Sequence, residues 1–193
     1  SDSILKGVKK LEPGHYLIWK DGDIQSPKSF WSISNITPKT ECFSDDVLAT
    51  ELETIFEKAV SQQLIADIPV GVFLSGGVDS SIITAIASTK KKNLHTFTIG
   101  FEEYSYDESN YAAQVSKKFN TNHHLLILNE EKLLSHLDLS LNCLDEPLAD
   151  PSIIPTYIVS KIASQHVKAV LGGDGGDELW AGYSSYNAYQ YGQ

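Results

Sequence analysis

Two glycine-rich stretches carry the residues best suited to chemistry. The first, SGGVDSS, begins at Ser75, directly after the apolar run 70–74 and just before an expected helix. Gly76 and Gly77 allow the backbone to approach a ligand closely and to turn its N–H groups toward it. The helix that follows adds N-terminal N–H groups and a partial positive charge. Such a loop is typical of a site for a phosphate-sized anion.

The side chains of this loop indicate how the anion would be held. Ser75, Ser80 and Ser81 offer hydroxyl donors, whereas Asp79 places a negative charge beside the expected phosphate. A carboxylate next to a phosphate requires a cation between them, and Mg²⁺ commonly binds one carboxylate together with phosphate oxygens. The alternative is an ordinary Gly-Gly turn with a serine cap. The pattern is neither the Walker loop, since no lysine follows the glycines, nor the dinucleotide-binding fingerprint.

The second stretch, GGDGGDE, occupies 172–178 and follows the apolar run 167–171. Asp174, Asp177 and Glu178 place three carboxylates within five positions. Without cations these carboxylates would repel one another and raise one another's pKa values. The alternative is an acidic turn that caps the next helix, and Glu178 alone is better explained as a first-turn helix carboxylate.

The elements around both stretches alternate between strand and helix. Four short apolar, β-branched runs predict strands that are covered on both faces. Helical segments between them predict an α/β fold with a doubly wound parallel sheet and right-handed crossovers. Ligands bind beyond the carboxyl ends of such strands, so both stretches should face one crevice. The predicted strands are 70–74, 95–99, 123–128 and 167–171, and the predicted helices are 79–90, 107–119, 130–142 and 152–165.

The first 60 residues have a different pattern. GHYLIW, KDGD and KSFWSI predict a β-hairpin within 7–31, and a lone hairpin is marginal in water, so a larger sheet is expected around it. Residues 32–43 suit a linker. A helix should then start after Ser44, with Asp45 and Asp46 in its first turn. Its expected apolar face consists of Val47, Leu48, Leu52, Ile55, Phe56, Ala59 and Val60.

Composition excludes several classes of partner. The 193 residues suit one ordinary domain with a small appendage, and 41% of them are hydrophobic. The net charge is −10 and all 15 basic residues are lysines, which argues against nucleic acid and anionic membranes as partners. No apolar run approaches the roughly 18 residues of a membrane span. The first 30 residues lack the order of a signal peptide.

Cysteines and histidines offer no obvious metal site. Cys42 and Cys143 lack metal or redox spacing and are expected to be reduced core thiols, which favours the cytoplasm. His123 and His124 begin a predicted strand without further ligands at suitable spacing. Packing at the strand edge is the expected role for this pair.

Several stretches together resemble a known family. SGGVDSS resembles the pyrophosphate-binding loop of the N-type ATP pyrophosphatases. ADIPVGVFLSGGVDSS, DEPLADPSIIPTY and VLGGDGGDELWAGY, in this order, resemble the synthetase domain of the glutamine-hydrolysing asparagine synthetases. LEPGHYLIWKDGDIQSPKSFW resembles the last strands of the glutaminase domain of that family. The resemblance covers nearly the whole chain. It implies an adenine nucleotide alpha hydrolase-like fold, with a glutaminase end and linker in 1–43 and the first part of the synthetase domain in 44–193.

The resemblance also implies a reaction and its residues. Aspartate would be activated by ATP and Mg²⁺ as β-aspartyl-AMP, and ammonia derived from glutamine would displace AMP. Asp174 matches the acidic residue needed to form the intermediate, and Asp79 and Asp177 match positions associated with Mg²⁺ and pyrophosphate. Leu74 and Ile99 would flank the adenosine. The implied ATP-binding positions are Leu74, Ser75, Gly76, Gly77, Asp79, Ser80, Ile99, Gly172 and Gly173.

Departures from the family pattern keep alternatives open. The family usually has serine at Gly172, and it often has arginine near Gln62–Gln63 and after Tyr183, where this chain has none. Relatives amidate sugars or peptides or close β-lactam rings, so another carboxylate or a non-catalytic nucleotide-binding module is an alternative. Asp145, Glu146 and Asp150 suit either an aspartate pocket or a rigid loop.

The ends of the chain suggest a piece of a longer polypeptide. Residue 1 is serine, whereas the glutaminase nucleophile of the family is an amino-terminal cysteine. These 193 residues alone are therefore expected to be inactive in glutamine-dependent synthesis. The resemblance allows a homodimer for the full-length form.

Overall fold

The computed structural model describes residues 2–37, 43–103, 105, 107–183 and 185–186. The chain divides into two compact units, one up to Asp45 and the other from Asp46 onward. No helix in these ranges is both long enough and apolar enough to cross a membrane.

The first unit contains the predicted hairpin. Strands β1 (His15–Tyr16) and β4 (Lys28–Ser29) pair antiparallel, as do β2 (Trp19–Lys20) and β3 (Asp23–Ile24). The turn between β2 and β3 has positive φ angles at Asp21 (55°) and Gly22 (92°), which a type I′ hairpin turn requires. The expected linker contains a short 3₁₀ helix, Ile33–Asn35, whereas Cys42 lies outside the described residues.

The second unit contains a parallel sheet with the strand order β7-β6-β5-β8. This confirms the predicted α/β fold class, and each predicted strand and helix is present with shifts of a few residues at its ends. The elements in chain order are α1 (Asp45–Gln63), β5 (Val70–Phe73), α2 (Val78–Lys90), β6 (His95–Phe101), α3 (Ser109–Phe119), β7 (Asn122–Leu128), α4 (Glu130–Leu141), α5 (Ile153–Ala163), β8 (Ala169–Leu171) and α6 (Gly176–Trp180).

All four strands are parallel, but the direction in which the chain adds strands across the sheet reverses beside β5. From β5 the chain steps to β6 and β7 on one side, and β8 then returns to the other side of β5. Right-handed crossovers place the helices of these two paths on opposite faces, and α2 indeed packs on α3 whereas α4 packs on α5. A crevice opens at such a switch point, beyond the carboxyl ends of β5 and β8. The two glycine-rich stretches follow these two strands.

Each face of the sheet has its own apolar core. Val60 and Leu64, at the end of α1 and just after it, pack with Val70 and Val72 of β5 on one face. Phe97 of β6 packs with Val159, Ala163 and Val167 on the other face. Consecutive residues of a strand point to opposite faces, so an uninterrupted apolar strand such as β5 serves both cores.

The expected apolar face of α1 is only partly correct. Val60 is buried, but Val47, Leu48 and Ile55 are exposed. The reason is that only the last turn of this 19-residue helix reaches the sheet. The middle of the helix, at Leu52 and Phe56, lines a cleft instead.

Cys143 is a free thiol, as expected, but it is exposed, so the expectation that it lies in the core is wrong. It lies just beyond the carboxyl end of α4, where its Sγ atom is 3.3 Å from the carbonyl oxygen of Leu139. A position that follows the last turn of a surface helix does not reach either core.

Candidate active site

A cleft of about 850 Å³ lies at the carboxyl ends of β5 and β8. Both glycine-rich stretches line it, as predicted from the parallel topology. Its polar lining is acidic, and among the lining residues in the described part of the chain there is no lysine or histidine. Such a cleft requires bound cations to hold a phosphate. The acidic lining residues are Asp79, Glu108, Asp174, Asp177 and Glu178.

The two serines that flank the first loop fix its shape. The Oγ atom of Ser80 accepts a hydrogen bond from the Ser75 N–H (3.2 Å) and donates one to the Gly77 carbonyl (3.2 Å). The Ser75 and Ser80 hydroxyl oxygens are 3.0 Å apart. Because the Ser80 hydroxyl donates its one proton to the Gly77 carbonyl, the Ser75 hydroxyl is the donor in this pair. Ser80 is only 5% exposed. The buried Ser80 hydroxyl therefore holds the loop backbone in place, whereas Ser75 is exposed and better placed to contact a ligand.

The two glycines of this loop have different environments. Gly76 has a φ of +96°, and a Cβ atom there would lie 2.8 Å from the Ala112 nitrogen and 2.9 Å from the Glu108 oxygen. Gly76 therefore packs the loop against the start of α3 and does not line the cleft. Gly77, the N-cap of α2, has a φ of −66°, and only the Ser75 hydroxyl lies near its Cβ position. Gly77 does line the cleft.

The second loop lies directly against Asp79, which occupies the first turn of α2. A Cβ atom on Gly173 would lie 3.2 Å from both the Cβ atom of Asp79 and the Ser80 nitrogen. A Cβ atom on Gly176 would lie 2.5 Å from the Asp79 carboxyl carbon. The absence of side chains at Gly173 and Gly176 thus lets two sequence-distant loops close around one carboxylate.

The other acidic residues surround the same cleft. The Asp174 side chain folds back over Gly172, whose Cβ position would lie 3.6 Å from the Asp174 carboxyl carbon. Asp177 and Glu178 lie in the first turn of α6. Carboxylate oxygens are the ligands that Mg²⁺ prefers, and Asp79, Asp174 and Asp177 supply them at one cleft. These residues therefore fit the implied Mg²⁺.

A phenol at the edge of the cleft is held by one of these carboxylates. The Tyr183 hydroxyl donates a hydrogen bond to Glu178 Oε1 at 2.8 Å. This hydrogen bond is the main cause that raises the pKa of Tyr183 to about 12. Glu178 is thus engaged as a first-turn helix residue with its own partner, which leaves Asp79, Asp174 and Asp177 as the cation candidates within the two glycine-rich stretches.

The positions expected to flank an adenosine differ from this picture. Leu74 is 1% exposed, and its carbonyl accepts a hydrogen bond from the Thr98 hydroxyl. Ile99 packs beside Phe97 in the core. Neither residue is among those that line the cleft. The predicted positions that do line it are Ser75, Gly77, Asp79, Ser80, Gly172 and Gly173.

Several lining residues were not predicted. Leu52 and Phe56 belong to the expected apolar face of α1, and they line the cleft, where the Phe56 ring lies 6.3 Å from the Trp180 ring. Glu108 directly precedes α3. Its place after the carboxyl end of β6 is a signal that the topology alone could have provided.

The acidic loop before α5, which contains Asp145, Glu146 and Asp150, does not line the cleft. Asp150 accepts a hydrogen bond from the Ser152 backbone N–H at 2.9 Å. Hydrogen bonds from the backbone and side chain of Ser152 lower the pKa of Asp150. This arrangement favours a rigid turn for this residue over a role in a substrate pocket.

Comparisons with known proteins agree with these sequence patterns. The family model described as asparagine synthase matches residues 51–193. The chain is 36% identical over 180 residues to asparagine synthetase [glutamine-hydrolyzing] 1 of Bacillus subtilis, with 93% of this chain and 28% of that protein covered. It is 37% identical over 193 residues to putative asparagine synthetase [glutamine-hydrolyzing] 2 of Methanocaldococcus jannaschii, with 97% and 36% covered. The chain thus spans 28% and 36% of the lengths of these relatives.

Solved structures give weaker matches. An NH3-dependent NAD synthetase from Campylobacter jejuni has a TM-score of 0.46 at 15% identity, with 74% of this chain and 62% of that chain covered. An NMN synthetase from Francisella tularensis has a TM-score of 0.47 at 14% identity, with 74% and 59% covered. The assignment therefore depends on the sequence match over 51–193, by which the chain belongs to the asparagine synthase family.

Proposed function

We propose that this chain forms the ATP-binding part of an enzyme that makes asparagine from aspartate. In this reaction an oxygen of the aspartate β-carboxylate attacks the α-phosphorus of ATP, and the bond to pyrophosphate breaks. Ammonia, released from glutamine, then attacks the β-carbonyl carbon of β-aspartyl-AMP, and AMP leaves. The observation that carries the proposal is the closure of the loop 173–176 around Asp79, at the switch point of a parallel sheet. Because the proposed reaction uses ATP, we expect the enzyme to act in the cytoplasm.

The chain itself supplies binding and orientation. The first-turn N–H groups of α2, which begins directly after the cleft-lining Gly77, suit the phosphates. Asp79 and Asp177 would hold Mg²⁺, which neutralises negative charge on the departing pyrophosphate when bound. Asp174, which is exposed, would act in the formation of β-aspartyl-AMP through a bound cation, because its carboxylate alone repels both the substrate carboxylate and the α-phosphate. Positioning and electrostatic stabilisation account for most of the catalysis in such a transfer.

The sharpest test is exchange of labelled pyrophosphate into ATP by the full-length gene product. We expect exchange that depends on both aspartate and Mg²⁺. Asp79→Asn should lower its rate by at least about 100-fold, the scale typical of lost electrostatic stabilisation. Asp138→Asn, an exposed carboxylate on α4, is the matched control and should leave the rate unchanged.

Each alternative has its own result in this assay. Exchange that depends on a different carboxylate would indicate a related amidotransferase, and aspartate would be the wrong substrate. ATP binding without any exchange would indicate a nucleotide-binding module without turnover. Parental exchange in Asp79→Asn would contradict the assigned role of Asp79.

A further inference from the structure

Three histidines converge at a place remote from the acidic cleft. His95 is the first residue of β6, His124 lies in β7, and His166 lies between α5 and β8. Each offers a ring nitrogen, and these atoms all lie within 4.8 Å of one another. His95 and His166 stand at the amino ends of β6 and β8, whereas the cleft lies at the carboxyl ends of β5 and β8. The cluster, called here the histidine trio, is therefore a separate site.

Sheet register explains why the trio meets. His124 pairs with Phe97 in the neighbouring strand, and His95 lies two residues before Phe97, so all three side chains share one face. That face carries α5, since Phe97 packs with Val159 and Ala163 of this helix. The chain leaves α5 three residues before His166, which brings the third imidazole over the same strands.

Contacts within the trio are close. The Nδ1 atom of His95 lies 2.9 Å from the Nε2 atom of His124, and the His124 and His166 ring centroids lie 4.0 Å apart. His124 lies in the edge strand β7 as expected, and it also has ring-nitrogen partners that sequence spacing does not show. His123 is not part of the trio, because it points to the opposite face, where its Nδ1 atom lies 3.0 Å from the Thr96 hydroxyl.

The surroundings of the trio suit uncharged imidazoles. The Phe97 ring lies nearly parallel to the His124 ring, with centroids 5.0 Å apart, and provides an apolar floor. Neutral imidazole is the form that binds metals. His166 is exposed, so the trio can be reached from solvent.

We propose that His95, His124 and His166 form a binding site for a divalent first-row transition metal, with Zn²⁺ as the first candidate. Three imidazole nitrogens with one position open to water form an ordinary zinc ligand set. Imidazole also discriminates against Mg²⁺, which prefers oxygen ligands. The acidic cleft and the trio would thus bind different classes of cation.

The ring nitrogens must rearrange for Zn²⁺ to enter, because one pair lies too close together and the three atoms spread over as much as 4.8 Å. Two nitrogens at about 2.0–2.1 Å from one tetrahedral zinc lie about 3.4 Å apart. The 2.9 Å separation between His95 and His124 must therefore widen by roughly 0.5 Å. The proton that these two rings share moves to the nitrogen of its ring that faces away from the ion, so each imidazole stays neutral.

The test is Zn²⁺ binding by the full-length gene product without a histidine tag. Equilibrium dialysis is done with excess Mg²⁺, which occupies the carboxylates of the acidic cleft. We expect a Zn²⁺ site in each chain that is weakened at least about tenfold by His166→Gln, since even indirect perturbation of a metal ligand has effects of that size. His136→Gln, a histidine of α4 outside the trio, is the matched control and should bind as the parent does.

A spectroscopic measurement separates ligation from a merely structural role. Co²⁺ in place of Zn²⁺ should give the visible absorption of tetrahedral nitrogen coordination in the parent and in His136→Gln, but not in His166→Gln. Pyrophosphate exchange should be unchanged in His166→Gln, which keeps this result independent of the proposed function. Equal Zn²⁺ affinity in both variants, or no tetrahedral Co²⁺ spectrum in the parent, would overturn the proposal and leave a hydrogen-bonded histidine cluster.

Discussion

The α-carbon of Gly176 stands so close to Asp79 that a methyl group there would lie 2.5 Å from the Asp79 carboxyl carbon. The backbone conformation does not prevent another residue at position 176, because the φ of Gly176 lies outside the positive region that disfavours residues with a Cβ atom. A Cβ atom at this position would instead collide with the flexible end of the Asp79 side chain. A residue with a Cβ atom should therefore push the carboxylate aside and leave the fold intact.

Gly176→Ala tests this relationship directly. We expect the free energy of unfolding to change by less than about 1 kcal/mol, while Mg²⁺-dependent pyrophosphate exchange falls as it does in Asp79→Asn. The double variant Gly176→Ala, Asp79→Asn should lose no more activity than Asp79→Asn alone, because both changes remove the same interaction. Losses that add in the double variant would show that Gly176 acts independently of Asp79.

The neighbouring glycines of the first loop should respond in opposite ways. Gly76→Ala should destabilise the protein by more than about 1–2 kcal/mol, since the positive φ alone has that cost and the new methyl group also meets backbone atoms of α3. Gly77→Val should change stability by only about 1 kcal/mol. It should nevertheless weaken ATP binding at least about tenfold, because the new side chain would occupy space in the cleft that Gly77 lines.

Urea unfolding measures the stability of these two variants, and ATP titration measures their affinity for the nucleotide. Unchanged ATP affinity in Gly77→Val, with a circular dichroism spectrum like that of the parent, would contradict a phosphate-binding role for this loop. Parental stability in Gly76→Ala would contradict the close packing of the loop on α3.

The serine pair of the same loop gives a graded prediction. Ser80→Ala should lower the free energy of unfolding by about 1–3 kcal/mol, because a buried hydroxyl with three partners is lost. Ser75→Ala should have a smaller effect of about 1 kcal/mol or less, since Ser75 is exposed and water can replace it. Equal effects of both changes in urea unfolding would show that Ser80 has no special role in the loop.

The phenol of Tyr183 should titrate at about pH 12. The folded pKa is raised above the usual value of about 10, so the interaction with Glu178 stabilises the fold below pH 10 and is lost as the pH rises through 12. Glu178→Gln should return this pKa toward 10. The ultraviolet difference spectrum between parent and variant, followed across this range, measures the shift, and superimposable titrations would contradict the assigned hydrogen bond.

Sequence patterns were reliable where local chemistry determines structure. The positive φ angles at Asp21 and Gly22 follow from the Asp-Gly turn, and the apolar run of β5 follows from its burial on both faces. The meeting of the two glycine-rich loops was also predictable, because parallel strands bring their carboxyl ends to one edge.

Other features depend on contacts that no local pattern contains. A Gly-Gly pair does not show that Gly76, and not Gly77, has the positive φ, because the packing of α3 decides this. Helical spacing identifies an apolar face on α1 but not what that face meets, so it does not show that Phe56 lines a cleft. The histidine trio escaped prediction because its members come from three elements that only the sheet register aligns.

The position of β8 has a consequence for how the nucleotide site is built and kept. β8 pairs over three residues with β5, and in the described sheet β5 is its one neighbour. Its attachment closes a loop of nearly a hundred residues, so the half of the site around Asp174 can form only after this long-range pairing is complete. Local detachment of β8 would dismantle the site while β6 and β7 stay paired. Nucleotide binding across both loops and docking of β8 are therefore thermodynamically linked, and a bound nucleotide should slow amide hydrogen exchange in β8 more than in β7.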